Sequence, residues 1–155
     1  MAQDATEPLL VHGTCVAFAN GGILLRGAPG SGKSDLALRF IAAYGNGRTD
    51  GGGAALVSDD QVQLTRVDDA IVARAPEQIA GKLEVRGVGI ITLDHVPFAE
   101  LSLLVDLRRA DEIERLPPAS LPREDVLGVS LPLASLDPTE NSAPVKLKLM
   151  VTGKI

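Results

Sequence analysis

Gly27-Ala28-Pro29-Gly30-Ser31-Gly32-Lys33-Ser34 fills every fixed position of the pattern G-x-x-x-x-G-K-[ST], the spacing of a loop that wraps a chain of phosphates. Glycines let successive backbone N–H groups turn toward one anion, and a helix that starts where the loop ends adds its positive dipole end. A lysine at position 33 reaches the β- and γ-phosphates, and a serine hydroxyl at position 34 ligates Mg²⁺. Residues 27–34 are therefore the expected nucleotide-binding loop.

Phosphate binding becomes phosphoryl chemistry only when a carboxylate stands near the γ-phosphate, to orient the metal or take a proton. Two apolar runs end in such an acid: Leu56-Val57-Ser58-Asp59-Asp60 and Leu103-Leu104-Val105-Asp106. Adjacent acids repel, so Asp59 and Asp60 imply a cation nearby. Neighbours in a regular strand point to opposite faces, so at most one of them is expected to face the phosphates if the strand stays regular. Glu84 is the next candidate acid. It lies just before Arg86-Gly87-Val88-Gly89, whose glycines admit a close neighbour. His12, before Gly13, has a near-neutral reference pKa that suits it to partner an acid or a phosphate. His95, in Asp94-His95-Val96-Pro97, reads as a turn residue.

The elements that must position these groups follow from the pattern around them. Leu9 to Phe18 reads as strand interrupted at His12-Gly13, Asn20-Gly21 as a hairpin turn, and Gly22 to Arg26 as the strand feeding the loop. Apolar residues at helical spacing predict a helix over residues 33–44. Residues 45–53, rich in glycine, read as a flexible linker. Residues 54–60 read as a short buried strand, residues 61–65 and 70–73 as a pair of strands, residues 83–93 as glycine-broken but strand-like, and residues 101–107 as a further buried strand. Residues 108–123 mix charge and proline and read as loop. Residues 144–151 alternate and read as a final strand. One helix among many short strands differs from a doubly wound phosphate-loop enzyme, where strands alternate with long helices.

Composition narrows the classes. The 155 residues fit one domain, residues 1–155, with a loose tail over 1–8. The hydrophobic fraction is 45% but the aromatic fraction only 3%, so the core is aliphatic. A net charge of −5 and no Lys/Arg cluster leave a nucleic-acid role without an electrostatic footprint. The polar, acidic start does not read as a secretory signal, and no apolar run is long enough to span a membrane, so the expected address is the cytoplasm. Cys15, the single cysteine, is expected as a small buried thiol.

His12-Gly13, then Gly30-Ser31-Gly32-Lys33-Ser34, then Val57-Ser58-Asp59-Asp60, then Leu83-Glu84-Val85-Arg86-Gly87-Val88-Gly89-Ile90-Ile91 resembles, in that order, the catalytic domain of the HPr kinase/phosphorylase family. The L-E-x-R-G-x-G-I segment and the double Asp carry most of the likeness, which runs from about Val11 to Leu107. The resemblance implies an α/β, β-rich phosphate-loop kinase domain similar to phosphoenolpyruvate carboxykinase, with few helices. It implies ATP and Mg²⁺ as cofactors, a serine of the phosphocarrier HPr as substrate, a reverse reaction that yields pyrophosphate, and hexameric assembly. It assigns Glu84 to a second Mg²⁺ site and His12 to the active site. To one of Asp59 and Asp60, with a lean to Asp60, it assigns the proton transfer, and to Arg115 a phosphate contact. The expected form is a short one, lacking the family's N-terminal domain, its C-terminal helices and a basic loop in residues 131–144, as in α-proteobacteria. Two other readings stand beside it: a regulatory module that binds ATP without transferring phosphate, and a small-molecule kinase or other ATPase that uses Asp106.

Overall fold

The computed structural model describes residues 7–45 and 53–153. The linker expected over 45–53 and the tail over 1–8 fall largely outside these residues. The chain order is β1 (Leu9–His12), β2 (Thr14–Phe18), β3 (Gly21–Arg26), α1 (Lys33–Tyr44), β4 (Ala55–Ser58), β5 (Gln61–Val67), β6 (Ala70–Arg74), β7 (Lys82–Val85), β8 (Gly89–Thr92), β9 (Ala99–Leu107), β10 (Arg123–Val126), β11 (Val129–Leu136) and α2 (Ala143–Thr152). Nine strands form one mixed sheet whose main path runs β1-β5-β6-β9-β3-β2-β4, with β11 on β9 and β10 on β11. The hairpin β7–β8 stands apart.

Side-chain alternation splits the interior in two. From β2 and β3, Val16, Phe18, Ile23 and Leu25 pack with Leu36 and Phe40 of α1 and Leu147 of α2. The intervening residues Cys15, Ala17 and Leu24 pack on the other face, with Val62 and Leu64 of β5 and Ile71 of β6. The sheet curls to make this second core out of its own strands, which is why few helices are needed. The few aromatics concentrate on the helical side: Phe18 and Phe40 meet edge to face at 5.2 Å, and Tyr44 lies 5.3 Å from Phe40. Cys15 is wholly buried in the other core, and burial raises its thiol pKa to about 12.

The strand directions place the chemistry. β2 runs antiparallel to both β3 and β4, so β3 and β4 run the same way. The loop after β3, the acids after β4 and the start of β2 therefore lie along one edge of the sheet. β1 ends at the same edge, because His12 pairs with Gln61 at the start of β5.

The elements differ from the expected ones at four places. Residues 144–151 form the helix α2, not a strand. The K-L-K-L alternation mimics period 2, but Pro144 sits in the first turn, Gly153 at φ 69° ends the helix, and the buried residues Ala143 and Leu147 lie four apart. Residues 83–93 are two strands, paired from Lys82↔Thr92 to Val85↔Gly89. The first hairpin turns on Ala19-Asn20, both at positive φ (52° and 69°), with Gly21 already paired to Phe18. That is the signature of a two-residue type I′ turn. The hairpin β10–β11, which closes on Leu127-Gly128, had no counterpart in the sequence reading. Among the described residues no helix is long and apolar enough to cross a membrane.

Candidate active site

The phosphate loop forms as its glycines require. Gly30 and Gly32 take φ of 80° and 103°, a region open to glycine at little cost. Gly32 then caps α1 with no side-chain partner, so the first backbone N–H groups of the helix remain available to an anion. Lys33 folds back over the loop. Its Nζ donates to the carbonyl oxygens of Gly27 (2.8 Å) and Ala28 (3.0 Å), and the residue is only 6% exposed. Burial lowers its pKa, against the pull of Asp60 and Asp59.

Asp59 and Asp60 both line the cleft in front of this loop, because the chain does not continue through them as a regular strand. The strand stops at Ser58. Asp60 then adopts φ 72°, and the N–H of Gln61 donates to the carbonyl of Asp59 at 2.8 Å. A three-residue turn with a positive central φ is costly, and such strain concentrates at working sites. The turn is fixed from outside by the Gly13 N–H, which donates to the Asp60 carbonyl at 3.1 Å.

The two carboxylates end in different surroundings. Asp59 is 7% exposed, and one of its oxygens accepts from the Ser34 hydroxyl (2.6 Å) and from the Thr14 hydroxyl (2.9 Å). Asp60 is open to solvent on 68% of its side chain and lies 3.3 Å from Nδ1 of His12. One acid is thus locked to Ser34 of the loop, and the other is open to the cleft beside His12.

The cleft holds about 560 Å³ and brings together His12, Lys33, Ser34, Asp59, Asp60 and Glu84. The loop residues Pro29, Gly30 and Gly32 line it too, while Gly27 and Ala28 contribute the carbonyls beneath Lys33 and Ser31 faces the opposite flank. Glu84 arrives on β7, whose hairpin packs beside α1. Arg115 is not among the residues that line the cleft; it is exposed, beyond the short helical turn Ala110–Glu112. Asp106 is not there either. Its carboxylate accepts from Nε of Arg26 at 2.8 Å. His95 sits at a lone bridge to Leu56, away from the cleft.

Thr14 and Arg86 line the cleft without having been expected there. Thr14, wholly buried, carries the one hydroxyl in an otherwise apolar β2, and that isolated polar group was its signal. Arg86 lines the cleft beside Glu84 and is its one arginine. The glycine pattern around it points to a close neighbour, and its charge adds a cation to the cleft.

Among the described residues no group of three or more His, Cys, Asp or Glu converges on a metal site. The donor set fits Mg²⁺ nonetheless, because that ion takes one or two carboxylates and completes its shell with substrate phosphates and water. Ser34 Oγ and Asp59 supply hard oxygens at one point.

The curled sheet, phosphate loop and acidic turn define a kinase-like nucleotide fold, and comparison with known proteins makes the class specific. Residues 3–141 match the family described as HPr Serine kinase C-terminal domain, and the chain belongs to that family. The HPr kinase/phosphorylase of Variovorax paradoxus is 34% identical over 142 residues, covering 83% of this chain and 41% of the relative. That of Malacoplasma penetrans is 28% identical over 172 residues, covering 99% and 54%. The chain thus spans about half the length of these relatives or less. The solved Hpr(Ser) kinase/phosphatase from Coxiella burnetii superposes with a TM-score of 0.77 at 23% identity, over 94% of this chain and 89% of that one. The β-rich α/β kinase fold is therefore shown.

Proposed function

We propose that this chain is the catalytic unit of a serine kinase that uses ATP and Mg²⁺ to phosphorylate an HPr-like phosphocarrier in the cytoplasm. In the return reaction, inorganic phosphate takes the phosphoryl group from phosphoserine and leaves as pyrophosphate. The relatives' names and the matched family support this substrate. The observation that carries it is the division of labour at one turn: Asp59 bonded to Ser34, and Asp60 open beside His12, both facing the phosphate loop.

The loop amides and the start of α1 take the phosphates. Lys33 exchanges the carbonyls of Gly27 and Ala28 for phosphate oxygens, which have the charge those carbonyls lack. Ser34 and Asp59 would hold Mg²⁺, with Glu84 as the acid for a second ion, and the metal would supply charge neutralisation to the phosphates. The substrate serine oxygen attacks the γ-phosphorus while the bond to the bridging oxygen of ADP breaks. Asp60 accepts the serine proton as general base, and His12 supports its charge. In reverse, an oxygen of inorganic phosphate attacks the phosphoserine phosphorus, the serine oxygen leaves with the proton from Asp60, and pyrophosphate forms. Arg115, outside the cleft in this chain, would reach phosphates only from a neighbouring copy or after its loop moves. Six copies is the assembly the family resemblance implies.

The test is a mass measurement on an HPr-like protein incubated with this chain and Mg-ATP. One added phosphate is expected, and Lys33→Ala should lower the rate on the order of a hundredfold or more, as for loss of a preorganised charge donor. ATP binding without transfer would instead establish a nucleotide sensor. The ATPase reading that relies on Asp106 is disfavoured, since Arg26 occupies that carboxylate.

A further inference from the structure

A second hollow of about 290 Å³ lies on the opposite flank of the phosphate loop. It shares Gly32 and Asp35 with the main cleft, so both hollows open beside the start of α1. Strand order explains the arrangement. β3 has β2 on one side and β9, followed by β11, on the other. The turn with Asp59 and Asp60 therefore sits on one flank, and the chain after β11, residues 137–142, on the other.

Resting on the reading of the main cleft as a triphosphate site, we propose that this second lobe binds the nucleoside end of the nucleotide, a purine base with its ribose. A triphosphate whose γ end lies at Asp60 must leave the loop on the far flank. The lobe's charge suits an uncharged group. Arg39, the one cation lining it, is already spent: it donates to Asp35 (2.9 Å), to the Pro138 carbonyl and to the Glu140 carbonyl (3.4 Å). A phosphate there would find no free cation, and Asp35 would repel it.

The polar groups that remain suit a nucleoside. The exposed Asn141 side-chain amide makes no hydrogen bond among the described residues, and it carries both donors and an acceptor. Such an amide can bond in bidentate fashion to the edge of an adenine. The Thr139 hydroxyl donates to Asp137 at 2.7 Å and keeps its lone pairs for a sugar hydroxyl. Pro138 offers an apolar face. Ser31 lines the same lobe, and its Oγ is the one buried side-chain polar atom without a partner among the described residues.

Calorimetry with ATP and with inorganic tripolyphosphate, each with Mg²⁺, separates this lobe from the phosphate site. The wild-type chain should bind ATP about tenfold tighter than tripolyphosphate, a difference of about 1.4 kcal/mol. Asn141→Leu should erase most of that margin and leave tripolyphosphate affinity unchanged, and Asn141→Gln should restore part of it. Equal affinity of the wild-type chain for the two ligands would overturn the nucleoside lobe while leaving the phosphate loop intact. So would an Asn141→Leu variant that weakens both alike. Failure of tripolyphosphate to bind at all would overturn the phosphate site, and the lobe with it.

Discussion

Two apolar strands of this chain end in an acid, and the acids meet opposite fates. β4 delivers Asp59 and Asp60 to the phosphate loop, whereas β9 delivers Asp106 to Arg26. Both strands run parallel to β3, and both end at the same edge of the sheet. What separates them is the neighbouring residue. The start of β2, beside β4, offers Thr14, a neutral hydroxyl that leaves the Asp59 carboxylate its charge. The end of β3, beside β9, offers Arg26, which takes the Asp106 carboxylate and also forks onto Glu124 of β10, with Nη2 at 2.9 Å from one carboxylate oxygen. In this chain the acid beside a neutral hydroxyl faces the loop, and the acid beside an arginine is tied to it.

The sharpest way to break this comparison is at Asp60. Removing its charge in Asp60→Asn should cut the transfer rate by about a thousandfold with little change in ATP affinity, the range for loss of a general base. Asp59→Asn should act differently. On the proposed mechanism it leaves the base in place but weakens the metal site, so its loss of about a hundredfold should shrink as Mg²⁺ is raised. A steady-state titration over Mg²⁺ concentration distinguishes the two. If both variants respond alike to Mg²⁺, the division of labour at this turn is wrong.

Thr14 sharpens the comparison one step further out. Thr14→Val keeps the shape of the side chain and removes the O–H that fixes Asp59. An outer hydrogen bond to a metal ligand is commonly worth about tenfold in metal affinity. The Mg²⁺ concentration for half-maximal rate should rise by roughly that factor, with the rate at saturating Mg²⁺ nearly unchanged, and Thr14→Ser should recover it. A uniform loss at every Mg²⁺ concentration would make Thr14 part of the packing only.

The signals that were legible in the sequence are local ones. The phosphate loop and α1 are specified within eighteen residues of chain, by glycines that permit left-handed backbone and by apolar residues at helical spacing. The tip of β4 was legible as composition, yet not the way its acids face, because that depends on Asp60 at φ 72° and on a bond from Gly13 in another strand. Thr14 was illegible as a site residue for the same reason: its partner lies 45 residues away in sequence. α2 was misread because lysines alternate with leucines at period 2 in a segment whose burial follows helical spacing. The hairpin β10–β11 was missed because Pro132 interrupts its alternation and its turn, Leu127-Gly128, carries a leucine at φ 50° where no pattern would place one.

The smallest effect tests the other half of the comparison. Arg26 leads directly into Gly27, so its ties to Asp106 and Glu124 fasten the root of the loop to β9 and β10. Arg26 holds the Glu124 carboxyl below the usual glutamate range by hydrogen bonding. A carboxyl whose folded pKa is depressed contributes stability above its unfolded value, near 4.3, and loses it as pH falls through the folded value. Glu124→Gln should therefore lower the melting temperature at pH 7 by a few degrees, since partly exposed ion pairs contribute about 1 kcal/mol or less. The difference from wild type should close below pH 4. Asp106→Asn should show a similar modest loss of stability, and its transfer rate at saturating ATP should stay within about twofold of wild type. A hundredfold fall in that rate, with the melting temperature unchanged, would mean that Asp106 leaves Arg26 during turnover and works in the cleft, and the two strand tips would then share one role.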